Sequence, residues 1–117
     1  MFGIIMLLLY IIVPRQTKWS DIHMMLGELY FTRGVVNLIE DEITTKQEIM
    51  EYVFRHQRGD YGLTCKEDIQ VNERNLNRSY GTVMSEYIVG GRRIWICTTL
   101  TEEIQDIYTT VMLPSEW

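Results

Sequence analysis

The chain has 117 residues, 46% hydrophobic and 23% charged, the proportions of one soluble globular domain with a modest core. Sixteen acidic residues against eleven basic ones give a net charge of −5, which argues against a broad phosphate-binding surface. Two cysteines without a C-x-x-C pair, and two histidines at no metal-ligand spacing from them, argue against a zinc site and fit reduced thiols in a cytoplasmic protein.

Residues 2–13, FGIIMLLLYIIV, form an unbroken apolar run that stops at Pro14. As a helix this run would rise roughly 18 Å, short of the ~30 Å hydrocarbon core of a bilayer. No basic residue precedes it and no small-residue cleavage site follows, so it lacks the pattern of a secretory signal. Residues 1–25 are read as an apolar extension from a misplaced start codon, because Met24 and Met25 stand just before the first patterned segment. A buried strand or helix, and a membrane anchor over residues 2–13, are the alternatives. Residues 26–117 then form a single α+β domain.

In GELYFTRGVVNLIEDE, residues Glu28–Thr32 predict a strand, and Val35, Val36 and Ile39 predict a short helix. Thr45 and Glu48 have the spacing of a capping box, opening a helix with the inward stripe Ile49, Met50, Val53 and Phe54. His56 follows on that face, and Gly59 ends the helix. Thr64 and Glu67 repeat the box and open a helix to about Tyr80, with Cys65, Ile69, Asn72, Leu76 and Tyr80 as its stripe. Asn72 is out of place there, since a buried amide is costly without hydrogen-bond partners. The expected partners are the backbone of the 59–62 turn or the strand near Thr98. Beyond Gly81 the period changes to two: TVMSEYIV and RRIWICTT form a hairpin around Gly90-Gly91, and IYTTVMLP gives a third strand. The expected architecture is two or three short helices on one face of a three-stranded antiparallel sheet.

Chemistry is concentrated in RHQRGDYG, Arg55 to Gly62. Gly59 and Gly62 allow a tight turn, Asp60 can accept its amides, and Arg55, His56 and Arg58 suit the negative end of a helix dipole. His56 and Asp60 are also the candidate catalytic pair for a hydrolase or nuclease, with Cys65 or Asn72 nearby, although general acid–base work requires a placed nucleophile or metal that the chain does not name. Arg92, Arg93 and Trp95 form a candidate binding face of basic and aromatic character, suited to nucleic acid, whereas a protein-binding role would need an exposed apolar or acidic patch instead. No P-loop, Rossmann, H-E-x-x-H, G-x-S-x-G or EF-hand string occurs, and no cofactor or metal is expected.

Several of these strings together resemble a group of small bacterial proteins carried on plasmids and conjugative transposons, some of them labelled plasmid-related or as restriction–modification subunits. The group's pattern is R-H-x-x-G-D-W-G, then D-x-x-x-N, S-x-Y, I-W-I-x-T and T-T-x-L-x-P-E-E-Y. Here the counterparts are RHQRGDYG with Tyr61 for the tryptophan, DIQVN at Asp68–Asn72, SEY at Ser85–Tyr87, IWICT at Ile94–Thr98, and TTVMLPSEW ending in Trp117. The likeness spans about three-quarters of the chain, from about Gly27 to Trp117. It implies a place on a mobile element and no assigned reaction; the expected role is binding a macromolecular partner, with anti-restriction or anti-CRISPR action as one version.

Overall fold

The computed structural model describes Ile4–Met6 and residues 22–117. Alternating burial along Gly81–Val89 places one face of a sheet inward. Val83, Tyr87 and Val89 share that face with Ile94, Ile96, Val111, Leu29 and Phe31, all at most 3% exposed. The strands are β1 (Ile4–Met6), β2 (Glu28–Thr32), β3 (Gly81–Val89), β4 (Arg92–Leu100) and β5 (Tyr108–Met112). Helices α1 (Arg33–Glu40), α2 (Lys46–Gln57) and α3 (Lys66–Arg78) lie between β2 and β3 in the chain. Val35, Leu38, Ile49 and Val53 from α1 and α2 close the core over the inward face.

The α+β class is as expected, but the sheet is not a three-stranded antiparallel one. Its order is β1-β2-β5-β4-β3, and β5 pairs in parallel with β2, Leu29 opposite Thr109. A hairpin advertises itself through its turn; a parallel pair between positions 29 and 109 has no local signal. The hairpin is as expected, with Gly90 and Gly91 both at positive φ (54° and 76°) as a type I′ turn requires. The apolar run assigned to an extension contributes the backbone of Ile4–Met6 to the sheet beside β2; the expectations for residues 7–13 lie outside the described residues.

Helix starts follow the capping logic only in part. Thr45 accepts the Glu48 amide at 3.1 Å, whereas the Glu48 carboxylate turns to the Thr44 hydroxyl at 2.8 Å. At α3 the expected Thr64–Glu67 box does not form: Cys65 is the N-cap residue, and Thr64 instead donates to the Tyr61 carbonyl and accepts the Glu86 amide. Cys65 and Tyr80, placed on the inward stripe by spacing, are exposed. The helix stops at Arg78 because Ser79 takes the left-handed conformation that ends it.

The segment after β5 is tied down. Glu116 accepts from the Thr32 hydroxyl at 2.6 Å, the Leu113 amide at 2.9 Å and the Gly34 amide at 3.0 Å, so its carboxylate sits in the first turn of α1. A Cβ on Gly34 would stand 2.7 Å from that carboxylate, which explains a glycine inside a helix. Glu116→Gln replaces one acceptor oxygen with an amide –NH2 donor facing the Gly34 N–H. Loss of about 1–2 kcal/mol in urea unfolding is expected, and an unchanged midpoint would show that the carboxylate is not a cap.

Candidate functional site

The Arg55–Gly62 elbow has a structural geometry. Asp60 divides its carboxylate between Arg55 Nε at 2.8 Å and the Gly62 amide at 3.1 Å, and its carbonyl accepts from the Tyr87 hydroxyl. The hydrogen bond from Arg55 holds the Asp60 carboxyl below its ordinary pKa, and the same contact raises that of Arg55. The Arg55 guanidinium also stands 5.4 Å from the ring centroids of both Tyr52 and Tyr87, which stack 4.7 Å apart. Gly59 and Gly62 have φ of +82° and +61°. At Gly62 the requirement is double, since a Cβ would collide with the Glu86 carbonyl.

His56 is turned away from that carboxylate and into the core, with no exposed surface. Its Nδ1 lies 2.6 Å from Ser85 Oγ, and its Nε2 lies 2.8 Å from Thr98 Oγ1. Thr98 continues to Thr109 Oγ1 at 2.8 Å, and Thr109 donates to the Leu26 carbonyl at 2.8 Å. Each hydroxyl has one proton, so the terminal carbonyl sets the direction of the whole chain. Thr109 spends its proton on Leu26, so Thr98 donates to Thr109 and accepts from Nε2–H of His56; the Nδ1 lone pair then takes the Ser85 proton. The imidazole is therefore the neutral Nε2–H tautomer, consistent with burial lowering its pKa to about 3.

The two asparagines of α3 perform a second structural task. Asn72 Nδ2 donates to the Met84 carbonyl at 2.7 Å and its Oδ1 accepts the Met84 amide at 2.9 Å, while Asn75 Nδ2 donates to the Thr82 carbonyl at 2.7 Å. Neither the 59–62 turn nor Thr98 is the partner of Asn72. Its side-chain amide acts as a piece of strand along the outer edge of β3, and the Leu63 amide and Tyr61 carbonyl continue that cover at Glu86. Asn75, one turn further along the same face, is 5% exposed; polar residues spaced three apart on an otherwise inward stripe were the available signal for it.

The residues singled out in the sequence strings thus converge in space. His56, Ser85, Thr98 and Thr109 make one relay; Asp60 and Tyr87 meet beside it; Asn72 binds the strand that carries Ser85.

On the opposite face of the sheet, strand register aligns Ile88 with Arg93, Glu86 with Trp95, and Trp95 with Met112. Arg93 and the Trp95 indole both bind Glu86, at 3.1 and 3.0 Å, and Trp117 meets Trp95 edge-to-face at 5.9 Å. Arg92 occupies the alternate register position beside the hairpin turn, opposite Val89, so the three residues read as one binding face do not share a face. Trp117 is 72% exposed and Ile88 46%. Trp117 entered the sequence reading only as part of the chain's terminal motif, because one aromatic residue in a tail has no periodicity to mark it.

Cys65 and Cys97 are both free, and burial pushes the Cys97 thiol up to about 12. Among the described residues no group of three His, Cys, Asp or Glu side chains is placed to hold a metal ion, and no helix is long and apolar enough to cross a membrane. Compared with known proteins, the chain matches no family model, and no curated protein or solved structure is significantly similar to it.

Proposed function

We propose that this is a small, non-enzymatic protein of a mobile element that works in the cytoplasm by binding a protein partner, countering a host defence of the restriction or CRISPR type. The mobile-element and anti-defence parts rest on the motif resemblance. The observation that supports partner binding is Trp117, 72% exposed and braced against Trp95, with Arg93 and Ile88 on the same sheet face. Exposed aromatic side chains already held in one orientation lose little entropy on docking and are over-represented among interface anchors.

The hydrolase alternative finds little support at its candidate pair. Both nitrogens of His56 are engaged in the core, and the Asp60 carboxylate is engaged by Arg55 and Gly62. The DNA-binding alternative would draw on Arg93, whose charge is already opposed by Glu86.

The test is capture from a bacterial host lysate with immobilised wild-type protein and with Trp117→Ala in parallel. A partner retained by the wild type and reduced at least about tenfold on the alanine variant, at unchanged melting temperature, is the expected result. Equal retention on both, or none on either, refutes this surface. Salt-sensitive binding of a labelled single-stranded oligonucleotide, lost in Arg93→Ala, would transfer the face to the DNA-binding alternative.

A further inference from the structure

A cavity of about 500 Å³ opens where the end of α3, the end of β4 and the turn before β5 meet, within the roughly 300–1,000 Å³ typical of small-molecule clefts. Its lining includes the buried side chains of Met24, Leu100 and Ile107, with Leu76 of α3 beside them. Arg78 and Glu102 line the same cavity, and both are exposed. The Arg78 guanidinium is steadied by Tyr80: Nε donates to the Tyr80 carbonyl at 3.2 Å, and the group stands 5.9 Å from the Tyr80 ring centroid. Among the described residues, its remaining N–H groups meet no carboxylate within ion-pair distance and Glu102 has no cationic partner.

Two opposite charges flanking one apolar cavity, without neutralising each other, are complementary to a molecule that carries both signs at one end and hydrocarbon at the other. A purely anionic amphiphile would meet Glu102, and a purely cationic one would meet Arg78. A zwitterion satisfies both and brings no net charge to the apolar lining. We propose that this cavity binds a free α-amino acid with an apolar side chain, its carboxylate on Arg78, its ammonium on Glu102, and its side chain against Leu76, Leu100 and Ile107. The assignment is independent of the partner-binding face, which lies on the other side of the sheet.

Isothermal titration of the full chain with L-leucine, L-leucine methyl ester and N-acetyl-L-leucine tests it. The ester lacks the carboxylate charge and the acetyl compound lacks the ammonium. Saturable binding of leucine is expected, with each analogue at least about tenfold weaker. Arg78→Gln should bring leucine down to the affinity of its ester, and Glu102→Gln should bring it down to that of the acetyl compound. Both positions are exposed, so unchanged melting temperatures are expected alongside these losses. Absence of saturable leucine binding overturns the proposal, as does an ester or acetyl compound that binds as well as leucine, or leucine binding that neither variant weakens.

Discussion

Replacing His56 by alanine is expected to cost about 3–5 kcal/mol, because it empties a fully buried site and strands the Ser85 and Thr98 hydroxyls. The same side chain predicts how stability depends on acid. Its pKa falls from 6.5 to about 3 on folding, so between those values the unfolded chain binds the extra proton and the folded one does not. The contribution is whole above pH 6.5 and is lost progressively as pH falls toward 3, where the loss approaches roughly 5 kcal/mol. The physical reason is in the relay: a second ring proton would point at Ser85 Oγ, which in the neutral arrangement donates its own proton to Nδ1. Urea unfolding at pH 7.5 and 4.5 is the measurement, with His56→Gln as the variant that cannot titrate. The wild type should lose about 2–3 kcal/mol more than the glutamine variant over that interval. Parallel losses would mean that the imidazole is not held neutral, and a nitrogen spectrum showing the Nδ1–H tautomer would reverse the direction assigned to the relay.

The second large effect is expected at Asn72. Asn72→Ala removes both hydrogen bonds to Met84 and leaves a backbone amide and carbonyl at a covered strand edge without partners, a loss of about 2–4 kcal/mol. Asn72→Asp keeps the acceptor but sets a carboxylate oxygen against the Met84 carbonyl, so it should be no better than alanine. Chemical denaturation checks the stability. Light scattering on the folded variant checks the edge, which should become competent to pair with other chains. An unfolding free energy within about 0.5 kcal/mol of wild type, the size of a neutral surface change, would show that the amide is not needed there.

Local physics made much of this fold legible. Strand β2 falls where the alternation of Leu29 and Phe31 puts it, α2 starts at its threonine cap, and Gly90-Gly91 sets the hairpin register. Asn72 was marked by its polarity as a residue that had to find partners, yet spacing along α3 cannot say which strand edge the helix covers. Thr64 failed as a cap because a better use for its hydroxyl existed across the chain at Glu86, and tertiary geometry is invisible to a four-residue motif. His56 shows the limit most clearly. Its neighbours in sequence are two arginines and an aspartate, which suggest charge and chemistry; its partners in space are two strand hydroxyls, Ser85 and Thr98, in a relay that suits the neutral ring. The cavity near Arg78 had no signal at all, since its lining comes from segments far apart in the chain.

The place of β5 governs how such a chain can assemble. The β3–β4 hairpin can form on its own within microseconds, but β2 must wait for a strand some 80 positions downstream before it has a neighbour on that side. In the folded sheet β5 joins the two parts, pairing with β2 on one side and β4 on the other. A nascent chain that stalls before Tyr108 leaves β2 and β4 without their shared neighbour, two sticky edges for a chaperone to guard.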